Sequence, residues 1–358
     1  MVLGATPALA GDGSGLMQGF SQGIAALQQS SQQTAAAMQQ IQQQTQAAFA
    51  AAGQQTGTAL DASLQQGIGG MALALDQASP GYVDATPQTT TVSGSITWQK
   101  QQRTYILIRP LRALPGAPAL LILHAHGMNS AGMANLVRAG RLAEQYGVWV
   151  YLPQGKNGDW NEDPSSYNST DDVGFLSALI DHAVAVDGVD RQRVYASGYS
   201  GGGFMAERLA CQASDKLAGF VAVAATLRSS LQSICRPTHP MAVAFMDGTS
   251  DLLVPYGGEP TVDSAAVATA FWATQNHCAA NQTETSVLPL VVNDGTSIAR
   301  TEFTGCPADA AARLYTVNHG GHTWPGSAYS GYTFYVGRTT QNLDATIEIW
   351  DFESPFSL

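Results

Sequence analysis

The feature that most constrains the fold is a short apolar segment, 194–199, that leads into Ser200 and three consecutive glycines. This pattern predicts a strand, a sharp turn and a helix, with Ser200 at the turn. Gly198-x-Ser200-x-Gly202 has the spacing of a nucleophile elbow, in which small residues let the strand and the helix approach closely. Such a turn exposes the serine hydroxyl and places the backbone N–H of Gly201 at a helix N-terminus, where negative charge is favoured.

Strand-like and helix-like segments alternate on both sides of this turn. Further strands are predicted at 89–98, 105–109, 119–124, 148–152, 220–224, 241–246 and 314–317. Helices are predicted at 133–146, at 172–186 with Asp172 as its cap, at 267–275 and at 345–352. The first two strands are expected to form a hairpin at one sheet edge. The alternation predicts an α/β fold of the α/β-hydrolase type, whose mostly parallel sheet binds ligands at the carboxyl ends of its strands.

The sequence before residue 85 has a different character. Residues 1–10 end in the Ala-x-Ala pattern of Ala8 and Ala10, which resembles the end of a secretory signal peptide. Residues 11–84 form a low-complexity extension rich in Gln and Ala. An exported spacer is favoured there over an amphipathic helix, although a thin apolar stripe suggests that the segment helps the protein sit on insoluble polymer. The stripe consists of Phe20, Ile24, Leu27, Met38 and Ile41. The catalytic domain is predicted to span residues 85–358.

The charge balance limits the partners. The chain of 358 residues carries 16 Lys and Arg against 27 Asp and Glu, a net charge of −11, which argues against a nucleic-acid partner. Charged residues make up only 12% of the chain, which is typical of exported proteins. No uninterrupted apolar segment reaches the roughly 18 to 20 residues that span a bilayer. We therefore expect a secreted monomer without a membrane span.

Four cysteines, Cys211, Cys235, Cys278 and Cys306, lie in the second half of the chain. Three pairings are possible, and sequential pairing closes the shortest loops. The alternative is four free thiols in a cytosolic protein, which the signs of export disfavour. The sequence has no Cys-x-x-Cys motif, so a zinc ribbon is not expected.

A serine nucleophile requires a base and a carboxylate that orients it, and in α/β-hydrolases both follow the serine in the order acid, then histidine. His322 lies in the loop after the last predicted strand, where such a base belongs, with His319 as the reserve. The loop after strand 241–246 offers Asp247 and Asp251. Asp251 lies deeper in that loop and is the preferred orienting acid.

The developing oxyanion needs two hydrogen-bond donors. The backbone N–H of Gly201 is one. The loop His126-Gly-Met128 follows strand 119–124 and has the character of an oxyanion loop, in which Met128 N–H is the expected second donor. His124-x-His126 also permits a metal-ligand reading, but the Asp-His that such pairs usually require does not follow. We expect neither a metal nor a cofactor.

Several sequence blocks together carry a resemblance to a known family. They are Leu123-His-Ala-His-Gly127, Tyr146-Gly-Val-Trp-Val-Tyr-Leu-Pro153, Asp172-Val-Gly-Phe175, Arg193-Val-Tyr-Ala-Ser-Gly-Tyr-Ser-Gly-Gly202, Gly248-Thr-Ser-Asp251, Val254-Pro-Tyr256 and Gly321-His-Thr-Trp-Pro-Gly326. From Leu121 onward the chain resembles extracellular polyhydroxybutyrate depolymerases and feruloyl esterases, the carbohydrate-esterase-like branch of the α/β-hydrolases. Gly-His-Thr-Trp-Pro-Gly is much more specific than the elbow alone.

The resemblance implies a nucleophile at Ser200, an orienting acid at Asp251 and a base at His322. It also implies the disulfides Cys211–Cys235 and Cys278–Cys306. Met128 and Asp247 depart from the family pattern, which often has cysteine and histidine there, and this puts the acyl pocket in doubt. Residues 1–80 match nothing in the family.

Aromatic side chains near the predicted cleft concern the substrate. Trp160, Tyr199 and Trp324, together with Tyr167, are expected to form an apolar rim that faces a polymer, although a single tryptophan is more often a packing residue. The expected activity is that of a secreted serine esterase acting on an insoluble polyester, like a polyhydroxyalkanoate depolymerase. Feruloyl or acetylxylan esterase activity on cell-wall polysaccharide and hydrolysis of aromatic polyesters are the alternatives. A non-catalytic surface-binding protein is the remaining class.

Overall fold

In the computed structural model, which describes residues 86–280, 282–327 and 336–358, the chain forms a ten-stranded sheet flanked by helices. The strands are β1 (Thr89–Trp98), β2 (Gln101–Pro110), β3 (Ala119–Leu123), β4 (Trp149–Pro153), β5 (Val194–Tyr199), β6 (Gly219–Val223), β7 (Ala242–Gly248), β8 (Thr283–Val287), β9 (Ser297–Phe303) and β10 (Ala311–Asn318). Their spatial order is β1-β2-β4-β3-β5-β6-β7-β10-β9-β8. The six central strands, β4-β3-β5-β6-β7-β10, are parallel to one another. Strands β1 and β2 on one side and β9 and β8 on the other are joined to them by antiparallel pairing. The predicted α/β-hydrolase fold and the edge hairpin are confirmed.

Helices cover both faces of the parallel strands. They are α1 (Ser130–Val137), α2 (Ala139–Tyr146), α3 (Asp172–His182), α4 (Gly201–Gln212), α5 (Ser229–Gln232), α6 (Ala265–Gln275) and α7 (Ala345–Glu353). Every residue of β3, β4, β6 and β7 is buried, as expected for strands that are covered on both faces. The uninterrupted apolar character of these strands is therefore a direct result of their position in the sheet.

The register brings the ends of the central strands to one edge of the sheet. Leu123 of β3 pairs with Gly198 of β5, and Gly248 of β7 pairs with Val317 of β10. The loops after these strands consequently lie at the same edge. They carry His126, Ser200, Asp251 and His322.

Two predicted helices differ in detail from the structure. The single helix expected at 133–146 is two helices, α1 and α2, separated at Arg138, whose φ of 52° and ψ of 53° lie in the left-handed region. The cap of α3 is Asp171, whose side chain accepts a hydrogen bond from Gly174 N–H. Asp172, the predicted cap, is instead buried and pairs with Arg103 at 2.6 Å.

Both sequential disulfides, Cys211–Cys235 and Cys278–Cys306, are present. Within the described residues no helix is long and apolar enough to cross a membrane. The predicted signal-peptide remnant at 1–10 and the whole of the extension at 11–84 lie outside the described residues. The domain boundary at residue 85 therefore stays a prediction.

Candidate active site

Ser200 occupies a strained turn between β5 and α4. Its φ of 54° and ψ of −121° lie outside the regions that residues with a side chain prefer, and strain of this kind costs on the order of 1–3 kcal/mol. The flanking glycines make the turn possible. A Cβ on Gly198 would lie 2.1 Å from Gly202 O, and a Cβ on Gly202 would lie 2.2 Å from Leu123 O. The elbow thus requires a glycine two residues before and two residues after the serine.

His322 and Asp251 form a buried pair. His322 Nδ1 lies 2.8 Å from Asp251 Oδ2, and the side chains are 5% and 1% exposed. The other oxygen of Asp251 accepts hydrogen bonds from Leu253 N–H at 2.8 Å and Val254 N–H at 2.9 Å. These contacts fix the carboxylate, which in turn fixes the imidazole with Nδ1 toward Asp251. Nε2 is then the nitrogen that can take up a proton.

Tyr199 holds His322 beside the elbow. The two rings are 5.3 Å apart, and Tyr199 O–H donates a hydrogen bond of 2.7 Å to His322 O. Burial raises the pKa of Tyr199, so the hydroxyl stays protonated and remains a donor. Trp324 packs edge-on against Tyr199 at 6.4 Å. Because Tyr199 immediately precedes Ser200, these contacts place His322 against the serine turn.

The structure also locates the reserve candidates. His319 is exposed, and its backbone N–H is bound to Thr249 Oγ1. Asp247 is fully buried at the end of β7. Burial, followed by the negative charge of Asp251, raises the pKa of Asp247 well above its ordinary value. The geometry therefore favours His322 over His319 and Asp251 over Asp247.

The loop after β3 brings the N–H of His126 beside the elbow, whereas Met128 is the residue that the sequence predicts as donor. Met128 N–H donates to Ala125 O at 3.1 Å within its own turn, so it is already engaged. The backbone group nearest Gly201 is His126 N, 3.4 Å from where a Gly201 Cβ would lie. His126 N–H and Gly201 N–H are thus the pair that the loop and the elbow bring together. The sequence does not show the local turn in which Met128 N–H is hydrogen-bonded to Ala125 O.

The predicted aromatic rim is corrected as well. Trp160 and Trp324 are each 1% exposed. The indole of Trp160 donates to His124 O, and that of Trp324 donates to Thr346 Oγ1. Both tryptophans are packing residues under the site and do not face solvent. Tyr167 is fully exposed on the loop before α3.

His124 has a structural role. Its Nδ1 lies 2.8 Å from Ala125 O and its Nε2 accepts a hydrogen bond from Gly155 N–H. Burial lowers the pKa of His124 to about 4, so the ring is neutral and both nitrogens are used. Among residues 86–280, 282–327 and 336–358 no group of three or more His, Cys, Asp or Glu side chains is arranged to hold a metal ion.

A second histidine–carboxylate pair borders the site and was not predicted. His126 Nδ1 lies 2.8 Å from Asp159 Oδ1, and the two side chains are 40% and 38% exposed. The residues are 33 positions apart in the loops after β3 and β4, and no short sequence motif contains both. Only the pairing of parallel β3 with β4 brings these loops together.

Comparison with curated proteins finds esterases. A Nocardia uniformis subsp. tsuyamanensis protein named as an esterase, NocK, is 29% identical over 308 residues, which are 78% of this chain and 88% of the relative. Feruloyl esterase C of Emericella nidulans is 26% identical over 227 residues, 61% of this chain and 77% of the relative. Feruloyl esterase B of Piromyces equi is 28% identical over 61% of this chain and 41% of its own length. The predicted resemblance to serine esterases is confirmed, and its polyhydroxybutyrate depolymerase part stays a prediction.

No family model matches the chain. Among solved structures, an acetyl xylan esterase from Aspergillus awamori has a TM-score of 0.49 at 15% identity and covers 65% of this chain and 94% of its own. A thermostable esterase has the same TM-score at 13% identity and covers 75% of this chain and 63% of its own. The sheet order and the elbow described above define the α/β-hydrolase fold of this chain on their own.

Proposed function

The chain is a homologue of carboxylic ester hydrolases, and we propose that it cleaves esters through Ser200, His322 and Asp251 by way of an acyl-enzyme. The observation that carries the proposal is the buried His322–Asp251 pair held against a strained serine turn. A serine hydroxyl needs such an oriented base because it is a poor nucleophile at neutral pH.

The reaction has two steps. Ser200 Oγ attacks the ester carbonyl while His322 Nε2 takes the hydroxyl proton, and Asp251 stabilises the resulting imidazolium. The N–H groups of Gly201 and His126 donate to the carbonyl oxygen as it becomes negative. His322 then protonates the leaving alcohol. In the second step water, deprotonated by the same imidazole, attacks the acyl carbonyl; the bond to Ser200 Oγ then breaks, His322 returns the proton to Ser200 Oγ, and the carboxylic acid is released.

Exposed apolar side chains at the catalytic edge support a polyester substrate. Leu252, next to Asp251, is 75% exposed. Leu290 and Val291 are also exposed, in the loop before β9. Since β9 begins opposite Asn318, the last residue of β10, this loop lies at the same edge as His322. Large apolar side chains exposed near a cleft are typical of contact with another apolar surface, and an insoluble polyester provides one.

The names of the relatives support a second candidate substrate. Two are feruloyl esterases, and a bifunctional acetylxylan esterase/xylanase of Neocallimastix patriciarum is 26% identical over 147 residues, 41% of this chain and 21% of its own length. Esters of cell-wall polysaccharides are therefore the alternative to polyester. Both substrate classes need the same acyl transfer and differ in the surface that receives the acid and the alcohol.

We infer export to an oxidising compartment. The support is the pair of disulfides, because bonds of this kind persist outside the cytosol. Export is consistent with either substrate where the polymer lies outside the cell.

A substrate panel tests the proposal. The purified protein is assayed on p-nitrophenyl butyrate, polyhydroxybutyrate film, methyl ferulate and acetylated xylan, with acid release as the common readout. Hydrolysis of p-nitrophenyl butyrate together with film erosion supports the polyester assignment. Turnover of ferulate or acetylxylan without film erosion would replace it by the polysaccharide assignment, and inactivity on all four would contradict ester hydrolysis.

A further inference from the structure

Two histidine–carboxylate pairs approach the serine turn from opposite sides. His322 follows β10 and His126 follows β3, and in the sheet these strands lie on either side of β5, which leads to Ser200. The Nδ1 to Oδ distance is 2.8 Å in both pairs. The pairs differ in exposure, because His322 is buried whereas His126 is 40% exposed. The mechanism above uses the first pair and leaves the side chains of the second unassigned.

The side chain of His126 begins beside Gly201, and its imidazole is held by Asp159. Its Cβ lies 3.7 Å from where a Gly201 Cβ would be, so the side chain starts beside the elbow. Asp159 is itself held, because its Oδ1 also accepts a hydrogen bond of 2.9 Å from Trp160 N–H. The loop of Asp159 is joined to the loop of His126 by the bond from Gly127 N–H to Gly158 O. Neither partner of the pair is a freely moving surface side chain.

We propose that His126 is a substrate-binding residue whose Nε2–H, oriented by Asp159, donates a hydrogen bond to the carbonyl oxygen of the bound ester. The inference rests on the proposed function and deepens it. With Nδ1–H directed at Asp159, Nε2 is the ring nitrogen for which the described part of the chain shows no hydrogen-bond partner. It supplies a third donor beside the N–H groups of Gly201 and His126.

The donor exists in one protonation state only. When Asp159 holds the Nδ1 proton, Nε2 of the neutral ring carries no hydrogen and accepts, whereas the imidazolium donates at Nε2. The hydrogen bond with Asp159 raises the pKa of His126, burial opposes this, and the charges of Asp159 and Glu162 raise it further. Glu162 is itself paired with Arg228 at 2.8 Å, and His124, the remaining titratable neighbour, is neutral. Since the pKa is raised, the donor persists to higher pH than in an ordinary histidine and is lost as the pH rises through that pKa.

Opposite requirements on the two histidines give a characteristic pH profile. His322 must be neutral to act as a base. His126 must be charged to donate, so activity falls on the alkaline side. The profile of kcat/KM is therefore expected to have an alkaline limb that belongs to His126.

The test compares kcat and KM of the full chain on p-nitrophenyl butyrate from about pH 5 to about pH 9, the range in which histidine titrates. His126→Gln keeps a donor that does not titrate, so its alkaline limb is expected to flatten. His126→Ala removes the donor and is expected to lower kcat by about tenfold at pH values below the alkaline limb. Asp159→Asn removes the charge that raises the pKa, so the limb is expected to move to lower pH.

His239→Gln is the matched control, because His239 lies before β7 at the opposite edge of the sheet. It should leave the limb unchanged. If His126→Gln and Asp159→Asn fold with the parent's melting temperature and keep the parent's alkaline limb, the role of His126 is refuted while ester hydrolysis by Ser200 stands. The proposed function itself fails if the parent protein hydrolyses no ester. It also fails if Ser200→Ala hydrolyses p-nitrophenyl butyrate as fast as the parent.

Discussion

The carboxyl groups of Asp251 and Asp247 lie close together behind the candidate base, but their surroundings differ. The Asp251 carboxylate accepts hydrogen bonds from two backbone N–H groups and from His322. Asp247 is buried beside that negative charge, which raises its pKa well above the ordinary value. One carboxyl is thus bound to His322, and burial favours the neutral form of the other.

This difference predicts that two matched substitutions affect kcat to very different extents. Asp251→Asn removes the charge that orients and stabilises His322, so kcat is expected to fall by about 10⁴-fold. Asp247→Asn replaces a carboxyl whose neutral form is favoured by burial with a neutral amide of the same shape, so kcat should stay within about threefold of the parent. The measurement is kcat on p-nitrophenyl butyrate near neutral pH. A larger loss in Asp247→Asn than in Asp251→Asn would mean that the orienting acid has been assigned to the wrong residue.

At this scale the sequence predicts residues whose order along the chain is required by the chemistry. It does not predict contacts that depend on how loops pack. Ser200, Asp251 and His322 follow in the order that an α/β-hydrolase requires, and each comes after a predicted strand. The burial of Trp160 and Trp324 depends on how loops fold over the sheet, which spacing does not show. The contact between His126 and Asp159 likewise depends on two loops meeting in space.

At the scale of elements, the elbow depends on close backbone contact between α4 and the end of β3. A Cβ on Gly202 would lie 2.2 Å from Leu123 O and 2.6 Å from His124 O, and backbone atoms cannot move aside as a flexible side chain can. Gly202→Ala is therefore expected to lower the free energy of unfolding by about 2 kcal/mol or more and to displace Ser200.

Gly257→Ala is the control, because nothing lies within 4 Å of a Cβ at that position. It should leave the free energy of unfolding within about 0.5 kcal/mol of the parent. Urea unfolding followed by tryptophan fluorescence gives both values. Equal midpoints for the two variants would show that the elbow tolerates a side chain at Gly202 and that the close contact has no energetic consequence.

The central strands were predictable from the sequence because burial on both faces requires a continuous apolar segment. The two strands that were missed, β8 and β9, have no such segment. All five residues of β8 are exposed, and β9 consists mostly of polar residues with a few apolar ones between them. The break between α1 and α2 was also hidden, because Arg138 adopts a left-handed conformation without a glycine or proline to indicate it.

At the scale of the whole molecule, the disulfide Cys278–Cys306 connects the segment after α6 with the segment after β9. It ties the exposed outer strands to the body of the sheet across a separation of 28 residues. Replacing both cysteines by alanine is expected to lower the free energy of unfolding by about 3 kcal/mol, mainly by freeing the unfolded chain. Thermal unfolding of the double variant and the parent measures this. If neither the double variant nor the reduced parent has a lower melting temperature than the oxidised parent, the bond does not stabilise the fold.

The central claim is that Ser200 is the nucleophile of an ester hydrolase, and Ser200→Ala tests it most directly. The variant is compared with the parent and with Ser233→Ala, an exposed serine in the segment after α5, by the rate of p-nitrophenyl butyrate hydrolysis at equal folded concentration. The account predicts a loss of more than about 1,000-fold in kcat for Ser200→Ala and no loss for Ser233→Ala. Hydrolysis by Ser200→Ala at the parent's rate would contradict it.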